Sequence, residues 1–122
     1  MKSNQKEDMS VCGKICLDCT RVCAETLTLC LTKGGRHAAV AHITELLDCV
    51  LMCETTASFL TRGSSLATQM CELCADICDR CAKSCEGWKD PEMDRCAEEC
   101  RGSAESCRSM MMLPSSPQSQ CV

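Results

Sequence analysis

Residues 12–30, CGKICLDCTRVCAETLTLC, decide how this chain folds. Five cysteines in this stretch, Cys12, Cys16, Cys19, Cys23 and Cys30, stand three, four or seven positions apart. At about 100° per residue that spacing gathers all five within roughly a 60° arc of one α-helix. The pattern returns in residues 71–85, CELCADICDRCAKSC, at Cys71, Cys74, Cys78, Cys81 and Cys85, and more briefly at Cys49/Cys53 and Cys96/Cys100/Cys107. Fifteen of the sixteen cysteines therefore fall on helical stripes. A bundle of helices lined with sulfur is most simply a container for a soft metal.

Helix boundaries are punctuated around these stripes. Ser10 is placed to cap a first helix that runs to about Lys33 and stops at Gly34-Gly35. A second helix covers about residues 36–62 and ends at Gly63; Ser64-Ser65 offer the cap of a third, which closes near Cys85 ahead of Gly87. Asp90-Pro91-Glu92 opens the fourth, with Asp as cap, Pro at the first helical position and an acid where the helix dipole favours it. That helix fades near Met112, before Leu113-Pro114. Short loops between long helices predict an all-α, up-down-up-down antiparallel four-helix bundle with a Cys-lined core over residues 10–113. A polar segment, residues 1–9, precedes it, and residues 114–122 have the Pro/Ser-rich composition of a disordered tail, in which Cys121 reads as a free thiol.

At 122 residues the chain makes one domain with one modest core. Phe59 and Trp88 are its only aromatics, and the 45% hydrophobic share includes the cysteines. Thiols occupy positions that Leu, Ile, Val and Phe usually fill, and each buries little area. The metal-free core should be under-filled, and metal binding should add to stability. A net charge of -4 with both signs interspersed offers no basic patch for nucleic acid. No apolar run is long enough to span a membrane. The start, MKSNQKEDMS, has neither the apolar centre of a signal peptide nor a twin-arginine leader. With Met1 as the first residue, a cytoplasmic location is expected, where thiols stay reduced.

Cysteines at i and i+3 or i+4 have Cβ atoms roughly 5–6 Å apart. Two sulfurs at that spacing can meet on one ion, whereas a disulfide needs its Cβ atoms at about 3.8 Å. Thiolates select Cu(I), zinc or iron–sulfur clusters. No cysteine here precedes a proline, as one does in ferredoxin-type cluster motifs. Structural zinc would leave most of the thiols unused. A zinc ion on four thiolates also leaves about -2 of net charge, costly to bury repeatedly. One Cu(I) per thiolate leaves the interior neutral. Multiple Cu(I) ions are therefore the expected cargo of the fifteen stripe cysteines, with a zinc or iron–sulfur structural or redox protein as the alternative. Cys16/Cys19, Cys71/Cys74 and Cys78/Cys81 have Cys-x-x-Cys spacing but lack the βαβ context of a thiol-redox site, so no enzyme is expected.

Other side chains join the seams. His42 stands seven residues before Cys49 on one face of the second helix, which continues through Leu46, Met52, Cys53, Thr56 and Leu60. In that company His42 is a candidate ligand; His37 points away from the seam and is a candidate at the entrance. On the fourth helix Met93, Cys96, Cys100, Ser103, Cys107, Met110 and Met111 share a stripe, and Met93 and Met70 are candidate thioether ligands that hand copper inward. Alternating helix direction sets Cys30, His37, His42, Cys85 and Met93 at one end, the expected copper entrance. The other end collects Val11, Phe59, Leu60, Leu66, Met70, Met110 and Leu113 as an expected apolar plug. A second stripe on helix two, Val40, Ile43, Leu47, Val50 and Leu51, points away from the thiols and calls for a subunit contact.

Repeated Cys-x-x-x-Cys on four helices, at Cys12/Cys16, Cys19/Cys23, Cys49/Cys53, Cys74/Cys78, Cys81/Cys85 and Cys96/Cys100, resembles the bacterial copper storage proteins over about residues 9–112. The resemblance implies a four-helix bundle whose inward thiols store many Cu(I) ions. It also implies a homotetramer, His and Met near the pore mouth and, without a leader, the cytosolic branch of the family. A copper chaperone is a candidate delivery partner. Thr56, Ser103 and Ala67 stand at seam positions where a denser member could carry Cys.

Overall fold

The computed structural model describes residues 3–112, which form four α-helices and one short 3-10 turn. Helix α1 covers Ser3–Lys33, α2 Val40–Thr61, α3 Ala67–Cys85 and α4 Pro91–Met111, with the 3-10 turn at Gly35–Ala38. α1 packs most extensively on α2, and α3 on α4; contacts of α2 with α3 and of α1 with α4 close the square. The backbones of the diagonal pairs stay apart, so only core side chains meet across the middle, as Cys49 and Cys100 do at 3.8 Å. The architecture is the expected up-down-up-down bundle. No described helix is long and apolar enough to cross a membrane.

The stops of α1 at Lys33, α2 at Thr61 and α3 at Cys85, and the start of α4, follow the sequence signals. Gly63, at φ 66°, terminates α2: its N–H reaches the Leu60 carbonyl, and the Ser64 N–H reaches back to Phe59 at 2.9 Å, a Schellman closure that needs the left-handed residue. Ser64 Oγ then accepts the Leu66 N–H at 3.2 Å in the turn before α3, but the N-cap of that helix is Leu66, without a side-chain cap, rather than Ser64 or Ser65. Asp90 caps α4 by accepting the Glu92 N–H at 3.1 Å, with Pro91 in the first turn.

Two further ends differ from expectation. α1 begins at Ser3, and Ser10 sits exposed inside it rather than capping it. The added turns include the helix formers Gln5, Lys6, Glu7 and Met9, and Met9 buries its side chain one turn before Cys12 on the same seam. The α1–α2 link is also tighter than a simple glycine stop. Gly34 and Gly35 both take positive φ, and residues that periodicity gives to α2 instead form the 3-10 turn that carries His37.

Fifteen cysteines are buried, with Met9, Val22, Leu46, Met52, Leu60, Met93 and Met110 as the larger apolar company. Between the helices lie the small buried residues Ala57, Ala75, Ala82, Ala97 and Ala104, which let the backbones approach. Gly13 marks the tightest approach: a Cβ there would stand 3.3 Å from Thr61 Oγ1 on α2. Ion pairs Arg80–Glu45, Arg95–Glu25 and Arg108–Asp79 join neighbouring helices at the surface, where solvent screening keeps each of them weak.

The apolar features outside the seams are reproduced in part. On α2, Val40 (82% exposed), Leu47 (43%) and Leu51 (56%) face outward, while Ile43 and Val50 are half-buried against the core. At the end expected to hold an apolar plug, Leu60 and Met110 are buried together with Met9, and Phe59 and Met70 are half-buried. Val11 and Leu66 point to solvent instead, because the stripe at that end follows Met9 and Cys12 on α1 and Ala67 and Cys71 on α3. Leu113, the 114–122 tail and Cys121 lie outside the described residues.

Candidate metal centre

Successive inward positions of the four helices stack into layers along the bundle axis. The layer nearest the α1–α2 turn holds Cys30, His42 and Met93, and the next holds Thr26, Leu46, Cys85 and Cys96. Below come Cys23, Cys49, Cys81 and Cys100, then Cys19, Cys53, Cys78 and Ser103. Cys16, Thr56, Cys74 and Cys107 follow, and Cys12, Leu60, Cys71 and Met110 close the stack. Each layer arises from i+3 or i+4 steps on every helix, which keep Cβ atoms on one face.

All fifteen cysteines of the stack are free thiols. Neighbouring sulfurs stand 3.4 Å apart at Cys53–Cys78, 3.5 Å at Cys23–Cys100, 3.7 Å at Cys23–Cys96 and 3.8 Å at Cys16–Cys107. A disulfide would require about 2.05 Å. Three groups of four, Cys19/Cys23/Cys49/Cys100, Cys19/Cys49/Cys53/Cys78 and Cys23/Cys81/Cys96/Cys100, each hold their ligand atoms within 4.8 Å of one another, as does the trio Cys12/Cys16/Cys107. The groups of four share members: Cys19, Cys23, Cys49 and Cys100 each serve two of them. Isolated four-thiolate sites would compete for these shared members, so the arrangement suits a cluster in which thiolates bridge neighbouring ions.

Protonation in this core is set by burial and by thiol–thiol hydrogen bonds. Burial pushes the Cys30 thiol up, with Cys96 and Asp90 adding to the effect. Cys53, hydrogen-bonded among Cys19, Cys49, Cys74 and Cys78, is pushed up as well, whereas Cys49 beside Cys100 and Cys19 is pulled down. Neighbouring thiols thus share protons unevenly, and among the described residues no lysine or arginine is buried to balance a thiolate there. An incoming monovalent cation that displaces the thiol proton supplies the missing charge.

The layer nearest the α1–α2 turn is chemically distinct. Cys30 Sγ lies 3.5 Å from His42 Nε2 and 3.7 Å from Met93 Sδ, so one thiol, one imidazole and one thioether converge. Burial pushes the His42 imidazole down, which keeps a ring lone pair available at neutral pH. His42 Nδ1 is 2.7 Å from Ser84 Oγ. His37 does not reach the thiols. Its Nε2 lies 3.3 Å from Asp90 Oδ2, which also takes Lys33 Nζ at 2.9 Å. Met70 belongs to the opposite end.

Sequence reasoning passed over Ser84 and Trp88. The Trp88 indole N–H donates to the Ser84 carbonyl at 2.8 Å, and its ring lies 4.5 Å from that of His37 and 4.8 Å from that of His42, with Arg36 above it at 4.3 Å. The one signal available was that Trp88 is the chain's only tryptophan and lies in the loop at this end.

A family model for copper storage proteins matches residues 5–112. Among solved structures, the Nmul_A1745 protein of Nitrosospira multiformis is 36% identical with a TM-score of 0.81, covering 86% of this chain and 95% of its own. The Cu(I)-bound copper storage protein BsCsp3 is 30% identical with a TM-score of 0.81, covering 85% and 98%. The apo form of copper storage protein 3 from Bacillus subtilis is 31% identical with a TM-score of 0.76, covering 83% and 96%. No protein with a curated description matches. Family model, fold and thiol lining coincide over the described bundle: the chain belongs to the copper storage protein family.

Proposed function

We propose that this protein stores Cu(I), holding many cuprous ions on the thiolates Cys12, Cys16, Cys19, Cys23, Cys30, Cys49, Cys53, Cys71, Cys74, Cys78, Cys81, Cys85, Cys96, Cys100 and Cys107, with His42 as a further ligand. The observation that carries the reading is the file of buried, unoxidised sulfurs along one axis, many of them in groups that share members. The Cu(I)-bound state of BsCsp3, a relative of the same fold, supports the choice of ion. The protein acts by binding and release rather than by catalysis.

Copper enters at the His42 end. Cys30, His42 and Met93 offer a first resting place there, and the other end is closed by Met9, Leu60 and Met110. A copper chaperone or small chelator exchanges metal at this mouth, in the cytoplasm, where thiols remain reduced. The exposed Val40, Leu47 and Leu51 face is covered by further copies of the chain in a tetramer.

Anaerobic Cu(I) titration against a competing chelator tests the storage reading. About fifteen equivalents, near one per stack thiolate, are expected. Saturation at a few equivalents would overturn it.

A further inference from the structure

Between two groups of cysteines the thiol lining narrows by one sulfur at each of two adjacent levels, which keep Cys19, Cys53 and Cys78 and then Cys16, Cys74 and Cys107. Above the narrowing, the groups of four centred on Cys19, Cys49 and Cys100 form one connected sulfur cluster. Below it, Cys12, Cys16 and Cys107 form a group that shares no member with the others. Two hydroxyls stand between them. Ser103 Oγ lies 3.5 Å from Cys78, 3.8 Å from Cys16 and 3.9 Å from Cys53, in touch with both sides. Thr56 Oγ1 is fully buried and has no hydrogen-bond partner. The sulfur path across this level runs through Cys74, whose Sγ is 3.8 Å from Cys53 and 3.9 Å from Cys78, and which also interacts with Cys16 and Cys107.

A cuprous ion migrates through such a core by exchanging one bridging sulfur for the next. A neutral hydroxyl is a hard, weak donor and a poor stepping stone for Cu(I). Substituting two seam thiols by hydroxyls at adjacent layers therefore does more than lower capacity. It interrupts the stripes of α2 and α4 and leaves Cys74 as the sulfur that interacts with both groups. Met9, Leu60 and Met110 lie over the lower half, and the sulfurs that continue from it lead toward the upper one through Cys74.

We infer that Ser103 and Thr56 divide the store into two copper compartments joined through Cys74: a mouth-side pool that exchanges quickly and a closed-end pool, on Cys12, Cys16, Cys71 and Cys107, that is retained. The inference rests on the copper-storage reading and deepens it by assigning a release order to the ions. Ligand exchange along this path is redox-neutral, each Cu(I) leaving one thiolate as it gains another.

The test uses the full-length protein loaded anaerobically with Cu(I), its capacity measured first, then mixed with excess chelator. Release is followed by chelate absorbance and by native mass spectrometry. Two phases are expected, with an intermediate that retains about four ions, near one per closed-end thiolate. Ser103→Cys, a near-isosteric change, should raise capacity by about one ion and accelerate the slow phase about tenfold. Cys74→Ser should slow that phase about tenfold and leave most of its amplitude. Cys71→Ser should trim the slow amplitude without changing its rate. Release in a single phase from a fully loaded protein overturns the inference, as does a slow phase whose rate neither Ser103→Cys nor Cys74→Ser alters. Failure of the storage reading is a separate result, visible earlier as low capacity.

Discussion

His42 Nδ1 stands 2.7 Å from Ser84 Oγ while its Nε2 faces Cys30 Sγ at 3.5 Å. The hydroxyl on α3 thus orients an imidazole on α2 toward a thiol on α1. For Nε2 to bind metal, Nδ1 must carry the proton, and Ser84 Oγ is positioned to accept it. Removing such an outer partner typically costs about 10–100-fold in metal affinity. Ser84→Ala should therefore slow copper loading by about tenfold at low copper and leave total capacity unchanged. Stopped-flow ultraviolet absorption of the cuprous thiolates measures the first and titration the second; an unchanged loading rate would count against a mouth-site role for His42.

Copper uptake should release protons. Burial raises Cys30, and thiol–thiol hydrogen bonds with Cys19 and Cys49 raise Cys53, so these groups are protonated at neutral pH in the metal-free bundle. Binding converts them to thiolates. Close to one proton per Cu(I) should appear in weakly buffered solution at pH 7, and apparent copper affinity should fall as the solution is acidified. A pH indicator measures the first directly. Fewer than about one proton for every two ions would mean that the core is largely thiolate before loading.

Thr56 is a buried hydroxyl without a partner, a state that costs on the order of 1–3 kcal/mol. Thr56→Val keeps the shape and removes the polar atom. Metal-free Thr56→Val should be more stable by about 1 kcal/mol in urea unfolding. Equal or lower stability would mean that the hydroxyl has a role in the empty core.

The Asp90 carboxylate caps α4 and holds Lys33 and His37. Hydrogen bonding with Glu92 and Lys33 keeps it well below the usual carboxylate value of 3.8. A carboxylate depressed on folding adds stability that is complete above its unfolded value and is lost as pH falls through the folded one. Thermal unfolding of the wild type should therefore drop more steeply below about pH 4 than that of Asp90→Asn, which has no carboxylate to protonate. Parallel curves for the two proteins would remove this account of the mouth-end loop.

The outward face of α2 gives a further expectation. Leu47→Glu together with Leu51→Arg should shift the sedimentation of the protein from oligomer to monomer while preserving copper capacity. A wild type that sediments as monomer at micromolar concentration would show that this face is free.

Much of the bundle was legible because its signals are local and repeated. Three- and four-residue cysteine spacing fixes which face of each helix turns inward, and Gly63 and Asp90-Pro91 mark ends whose chemistry works over a few residues. Ser10 misled because a serine can cap a helix or sit exposed within one, and the packing of Met9 decides between them. Val11 and Leu66 were assigned to a plug on hydrophobicity, but the helical phase that buries Cys12 and Cys71 turns both outward. The Ser84–His42 bond and the Trp88 stack were invisible for a different reason: the first joins residues 42 and 84 across two helices and the second joins 37 and 88 between two connecting segments, and periodicity encodes neither. Ser103 and Thr56 were readable as missing thiols, but their place at the narrowing needed the layers to be set side by side.

Anomalous diffraction at the copper edge from crystals grown of the Cu(I)-loaded protein addresses the central claim most directly. The account predicts a file of copper peaks along the bundle axis, from the Cys30/His42/Met93 layer to the Cys12/Cys71 layer, with each ion between cysteine sulfurs. Peaks scattered on the outer faces of the helices, or an axis empty of copper beside oxidised sulfur pairs, would contradict it.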